Sequence, residues 1–283
     1  MYNSIRNEIL KETGKETLIT DREIDIIRKE VGRKEVKRLD FLKNQSEIAK
    51  VIRKFGNFYF NCYENVLKLD IPKQYLFRFI YLCTYMNYDN KIEFGNAKGE
   101  NKLATERDLK EILCLSPNEV TRTKKPWFEQ ELVIINNKTM EINRKYAIKG
   151  KIERKELKGS VRIMEKGIRE IYQKAKPIEH KKLTLLIEIL PYVNYQHNLL
   201  CYNPEETEIE RIRPMSLSDL AKQYNLNQTR LKNELFKIKV GGEDVIGLFT
   251  RSNSVHIYVN PRIYYKGNSE KDYCWVSQAF KVK

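Results

Sequence analysis

The pattern of apolar and polar positions changes character at Phe58. Residues 1–57 are charged with a helical period: "TDRE" (Thr20 to Glu23) has the spacing of a capping box, and Ile24, Ile27, Val31 and Val36 follow as a loose apolar stripe. After Phe58, "KQYLFRFIYLCTYMNYDNKIEF" places Leu76, Phe79, Ile80, Leu82 and Cys83 on a helix apolar enough to be buried. "ATERDLKEILCLSPNEVTRTKKPW" then predicts a helix capped by Thr105, a Ser-Pro turn and a second helix with Val120 facing inward. Pro126 is expected to bend or end that second helix, because it lacks an amide donor and clashes with the preceding turn. "LVII" and "TMEI" predict two short strands joined at Asn136-Asn137-Lys138.

The same order returns further along the chain. "HKKLTLLIEILPYVNYQHNLL" matches the buried helix, with Tyr192-Val193-Asn194-Tyr195 in the places of Tyr85-Met86-Asn87-Tyr88. "SLSDLAKQYNLNQTRLKNELFKI" matches the helix pair, so that Asp219, Leu220, Leu226 and Leu231 stand where Asp108, Leu109, Leu115 and Val120 stood. "VIGLFTRSNSVHIYVN" supplies a second hairpin, with its tip at Arg251 to Ser254. Each copy closes on an echo, "INRKYAIKG" in the first and "VNPRIYYKG" in the second. The repeated order of helix-turn-helix and hairpin predicts a mainly α chain with small β wings (α+β), built from two tandem winged-helix domains. The expected boundaries are a helical N-terminal extension over 1–57, winged-helix domains over 58–150 and 161–268, a basic linker over 151–160 and a C-terminal tail over 269–283.

Charge adds a partner to this outline. The 283 residues carry 53 Lys and Arg against 38 Asp and Glu, a formal +15, which points to a polyanion and to nucleic acid before a membrane surface. The five cysteines are scattered and odd in number, as expected of reduced thiols in a cytoplasmic protein rather than a disulfide framework or a zinc site. No run approaches a membrane span and the start lacks a signal-peptide core, so a partner membrane is not expected.

Catalytic chemistry finds little support. There is no phosphate-binding G-x-x-x-x-G-K-[ST] run, and His180, His197 and His256 never fall in metal-pair spacing, so no cofactor is expected. Gly241-Gly242 reads as a turn between a helix and a wing strand. Tyr85, Tyr88, Tyr192 and Tyr195 end apolar helices, where packing with a satisfied hydroxyl accounts for them better than strand-nicking nucleophiles do. The chemistry of the helix pairs is instead that of binding. With Leu231 and Leu235 turned to the core, the second helix of the later copy offers Asn227, Gln228, Thr229, Arg230, Lys232 and Asn233 to a major groove, where amides suit adenine and guanidinium suits guanine. The earlier copy offers Asn118, Thr121, Arg122, Lys124 and Lys125, a set richer in phosphate-binding charge. Lys138 and Arg251 sit at the hairpin tips, and Lys149, Lys151, Arg154 and Lys155 belong to the most one-sided basic run, a solvated linker or a phosphate-contacting strap.

These residues together resemble a family. A buried helix ending in "YMNYDN" or "YVNYQHN", followed by helix-turn-helix, wing and "VNPRIYYKG", resembles RepL-like replication initiators and related winged-helix proteins carried by plasmids and phages of Firmicutes. The resemblance covers residues 58–267, once per copy, and departs from the family in the doubling, since the RepL type has one such domain. It implies a cytoplasmic DNA-binding protein of a mobile element that binds origin or operator repeats in double-stranded DNA and recruits host replication proteins. A transcriptional regulator and a protein-interaction module are the alternatives. The expected binding form is a monomer acting as a pseudo-dimer, or a homodimer, on a non-palindromic or direct-repeat site.

Overall fold

The computed structural model describes residues 29–30, 32–34, 36, 49–50, 52, 56–95, 101–251, 254–267 and 270–281. The chain divides into two compact units, residues 1–47 and 48–283. In the first, Lys29, Glu30, Gly32, Arg33, Lys34 and Val36 are helical. The expected cap at Thr20 to Glu23 and the apolar positions Ile24, Ile27 and Val31 lie outside the described residues.

The second unit opens with β1 (Phe58–Asn61), α1 (Tyr63–Val66) and the buried α2 (Lys73–Cys83). A hairpin of β2 (Glu93–Gly95) and β3 (Asn101–Leu103) leads through a single 3-10 turn at Glu106–Asp108 into α3 (Leu109–Leu113), α4 (Pro117–Glu129), the hairpin β4 (Val133–Asn136) and β5 (Thr139–Ile142), and β6 (Ala147–Ile148). After α5 (Arg154–Lys158) come β7 (Val161–Met164), α6 (Glu165–Lys174), α7 (His180–Ile189), α8 (Leu217–Gln223) and α9 (Gln228–Leu235). Two small hairpins follow, β8 (Lys239–Val240) with β9 (Glu243–Asp244) and β10 (Ile246–Arg251) with β11 (Ser254–Val259), and α10 (Glu270–Ala279) completes the order. The molecule is mixed α and β, 45% helical and 22% strand, with small antiparallel sheets. Among the described residues no helix is long and apolar enough to cross a membrane.

The echo of the two copies is an echo of hydrogen bonds. Asn90 (φ 61°) and Asn198 (φ 55°) both adopt the left-handed conformation that asparagine tolerates better than most residues. Asn90 Nδ2 donates to Ile142 O at 3.1 Å and Ala147 O at 2.7 Å; Asn198 Nδ2 donates to Val259 O at 3.0 Å and Tyr264 O at 2.6 Å. Asn143 and Asn260 end the two main hairpins alike. Their Nδ2 groups reach Glu131 O and Asp244 O at 3.0 and 3.1 Å, and their Oδ1 atoms accept from Lys145 N and Arg262 N at 3.0 Å. These four asparagines give the sequence echoes their physical content: Asn90, Asn198 and Asn260 are fully buried and supply partners to backbone polar groups at their corners, and the half-buried Asn143 makes the same bonds nearer the surface.

The two copies meet across an approximate dyad. β1 and β7 pair antiparallel, Tyr59 with Ile163, Phe60 with Arg162 and Asn61 with Val161. On the outer sides Asn61 pairs with Ala147, and Ile163 bridges Tyr264, the residue that matches Ala147. Asn61 therefore corresponds to Ile163 and Phe60 to Arg162, so the dyad passes through the Phe60–Arg162 pair. The helices obey the same symmetry: Thr184 Oγ1 donates to Lys73 O at 2.5 Å, and at the mirrored place the Phe77 and His180 rings lie 6.2 Å apart. α2 is buried on nearly every side, from Leu76 to Cys83, as is most of α7. One continuous apolar core contains Phe79, Ile80, Leu186, Ile187 and the hairpin residues Met140 and Ile257. The two copies are thus halves of one compact unit, because the helices that each would need to cover cover one another.

The dyad is broken at Arg78, whose matched residue is the buried Leu185. Arg78 is 2% exposed and spans the seam: Nη1 donates to Glu119 Oε2 at 2.9 Å and Thr123 Oγ1 at 2.7 Å on α4, and Nε donates to His180 Nδ1 at 3.2 Å on α7. Burial first, and the Arg78 charge second, push the His180 imidazole down from 6.5 to about 4.

Several expectations are corrected. α4 continues through Pro126 to Glu129. An interior proline costs roughly 3 kcal/mol, but Trp127 is fully buried, edge-on to Phe79, with Nε1 donating to Tyr75 O at 3.0 Å. Burying a ring of that size contributes about 4–6 kcal/mol, which outweighs the proline. The expected linker contains the helix α5 and a buried Ser160, and Lys266 Nζ ties it down through Leu157 O and Ser160 O at 2.9 and 2.8 Å. The expected tail forms α10, whose Val276 and Phe280 pack on Leu199, Ile212 and Tyr258. Gly247 on β10 permits that docking: a Cβ there would lie 2.5 Å from the Phe249 ring and 2.9 Å from Phe280. Gly241 (φ 59°) and Gly242 (φ 80°) form the turn of the β8–β9 hairpin, where both central residues need positive φ. Tyr85 bonds the Tyr81 hydroxyl at 2.8 Å and Tyr195 donates to Glu205 O at 2.7 Å, but Tyr88 is 69% exposed and rests its ring over Gly150.

Candidate nucleic-acid interface

Each copy builds its helix pair by the same local chemistry. Thr105 N donates to Asp108 Oδ2 at 2.7 Å, and Ser216 N donates to Asp219 Oδ2 at 3.0 Å, closing the two helix starts. Bonds from the Ser216 hydroxyl and amide hold the Asp219 carboxyl below its usual range. The first helices end in left-handed residues, Cys114 (φ 50°) and Asn225 (φ 51°), which turn the chain sharply into α4 and α9. There Ser116 Oγ accepts from Glu119 N at 3.4 Å and Asn227 Oδ1 from Arg230 N at 2.7 Å, capping the second helices.

Those second helices present one apolar and one polar face. α4 buries Val120, Thr123 and Trp127 and exposes Asn118, Thr121, Arg122 and Lys125. α9 buries Leu231 and Leu235, as expected, and exposes Gln228, Thr229, Arg230, Lys232 and Asn233. The charges on these faces differ in freedom. Arg122 lies 3.6 Å from Glu119, Lys125 lies 3.9 Å from Glu129, and Lys124 pairs with Glu106. Arg230 Nε is held at 2.8 Å by Glu234, its neighbour one turn on, while Lys232 has no ion-pair partner among the described residues. Thr121 donates its hydroxyl to Pro117 O at 3.0 Å, and Asn227 spends its oxygen on the cap.

The remaining expected residues divide. Lys138 (φ 66°) follows Asn137 (φ 48°) in the exposed turn between β4 and β5, a two-residue turn with both φ values positive. Lys151 is exposed. Arg154 and Lys155 lie on α5 and Arg251 ends β10, with their side chains and residues 252–253 outside the described part. Lys149 is a correction. Its Nζ sits 2.6 Å from Glu165 Oε1, the two side chains only 10% and 7% exposed, so it staples β6 to α6 instead of facing a phosphate. Burial pushes the Glu165 carboxyl above its ordinary value, with Lys149 and Arg169 pulling the other way.

Sequence reasoning missed Arg107. It is exposed, and with Lys124, Lys138, Thr105, Glu106 and Ile135 it lines a groove of about 650 Å3 between the start of α3 and the β4–β5 turn. The signal was available in "TERD": if Thr105 caps and Asp108 closes the box, the residues between them face outward. Comparison with known proteins finds no family model, no curated relative and no solved structure that the chain matches.

Proposed function

We propose that this chain binds double-stranded DNA sequence-specifically through two winged-helix units, with α4 and α9 entering major grooves and the β4–β5 and β10–β11 hairpins as wings. The observation that supports it is the repetition itself. Two capped helix pairs, each backed by a hairpin, each turn the polar face of their second helix to solvent on a chain of formal charge +15. A dyad between the copies implies half-sites in inverted orientation, about one helical turn apart, which of the non-palindromic or direct-repeat site expected from the sequence favours the first. The half-sites are unlike, because Asn118, Thr121, Arg122 and Lys125 on one helix face the solvent where Thr229, Lys232 and Asn233 lie on the other.

The biological role proposed is replication initiation at a plasmid or phage origin, on the strength of the family resemblance. Selection of bound duplexes from a random pool, followed by footprinting, tests the binding. The expected result is one protected site with two unlike, inverted half-sites; a direct repeat, or no binding at low salt, counts against it. The origin role is tested by placing the gene on a vector without an origin and asking whether it replicates.

A further inference from the structure

The groove between α3 and the β4–β5 turn has chemistry of its own. Arg107 approaches from the helix start and Lys138 from the hairpin turn, and neither has an ion-pair or hydrogen-bond partner among the described residues. Most cations nearby are engaged: Lys102 pairs with Asp108 at 3.1 Å, Arg122 with Glu119, Lys125 with Glu129, and Lys124 with Glu106 inside the groove itself. Three cations and one carboxylate therefore line a concavity whose wall is the half-exposed Ile135. The matched positions in the second copy are Ser218 for Arg107 and the buried Leu235 for Lys124, so these two charges belong to the first copy.

We propose that this groove is a phosphate seat: it holds one phosphodiester of the bound DNA between Arg107 and Lys138, and the Lys124–Glu106 pair sets its strength. The inference rests on the DNA reading above. A guanidinium presents two parallel donors to a phosphate and an ammonium supplies a point charge, the pairing that anchors a backbone without reading bases. Glu106 opposes the ligand and occupies Lys124. Its removal adds a third cation to the seat.

The test is the salt dependence of binding to a duplex of about 24 base pairs of arbitrary sequence. Each phosphate contact contributes roughly 0.9 to the slope of log affinity against log salt. Arg107→Ala and Lys138→Asn, the latter keeping a residue that tolerates positive φ, are each expected to lower the slope by about 1. Glu106→Gln is expected to raise both affinity and slope, an effect that loss of structure cannot imitate. Wild-type binding with slopes unchanged in all three variants overturns the seat and leaves the DNA reading standing; no wild-type binding at low salt removes the DNA reading and the seat with it. Inorganic phosphate at constant ionic strength forms the second arm. Displacement of the duplex by millimolar phosphate in wild type but not in Arg107→Ala would show the two competing for one seat and support the assignment; phosphate that binds at Arg107 and leaves duplex affinity unchanged would identify a free-anion site and overturn it.

Discussion

Arg78 Nε donates to His180 Nδ1 at 3.2 Å across the seam between the two copies, so the imidazole must be neutral for the seam to close. His180 is buried, and its pKa falls from 6.5 to about 4 through burial and the Arg78 charge. A base depressed in the folded state contributes stability that is present above 6.5 and is lost as pH falls toward 4. Between pH 7 and pH 5 the folded state is expected to lose about 2 kcal/mol from this group. Denaturant unfolding across that range should show the loss in wild type and a flatter profile in His180→Gln. Equal slopes in the two proteins would exclude the assignment.

Asn90 and Asn198 hold the same corner in the two copies and should respond to substitution alike. Alanine at either position removes two bonds to buried carbonyls and leaves a β-carbon in the left-handed region without the polar side chain that makes asparagine tolerable there, an expected loss of about 3 kcal/mol. Glycine removes the bonds but relieves the backbone, so Asn90→Gly and Asn198→Gly should each be milder than the alanine variants. Thermal melts of the four proteins give the comparison. A glycine variant less stable than its alanine counterpart would contradict it.

Lys149 should matter for stability and leave DNA binding alone. Lys149→Met strands the buried Glu165 carboxylate, with Arg169 4.0 Å away, and is expected to cost about 3 kcal/mol or more. Pairing it with Glu165→Gln should recover much of the loss. Chemical denaturation measures the first effect, and an unchanged salt slope of DNA binding in the folded double variant measures the second.

On α9, Arg230 and Lys232 should separate by role. Arg230→Ala is expected to weaken specific binding by about 1–3 kcal/mol and to relax discrimination at one base pair; Lys232→Ala should weaken all sequences evenly and lower the salt slope by about 1. Both side chains are exposed, so the fold should survive. Competition titrations against single-base variants of the selected site distinguish these outcomes from a loss that is uniform in both.

The sequence carries the repetition plainly because the repeated positions do indispensable work. Asn90 recurs as Asn198 since few other residues both satisfy buried carbonyls and adopt a left-handed turn, and Asn87 and Asn143 recur as Asn194 and Asn260, whose side-chain oxygens each accept a backbone amide two residues on. Leu231 and Leu235 were legible from helical spacing. The seam was not: β1 and β7 are four residues long and buried on both faces, so neither shows the alternation that marks a strand. Lys149 misled because an exposed and a buried lysine are the same letter, and the carboxylate that distinguishes them comes from a different element. α10 escaped notice because its partner surface, built around Gly247, forms only when the hairpin has folded.

The seam also orders events in time. β1 completes its pairing with residues 161–164, which leave the ribosome about a hundred residues after it. The first copy can form its helix pair and hairpin early, but its central helix α2 stays open on the side that α7 will cover. During synthesis that apolar side waits through the making of residues 84–179, and a chain elongating at roughly 5–20 residues per second leaves it uncovered for about 5–20 s. Nascent chains stalled before residue 180 should therefore engage chaperones that chains stalled after residue 265 no longer need.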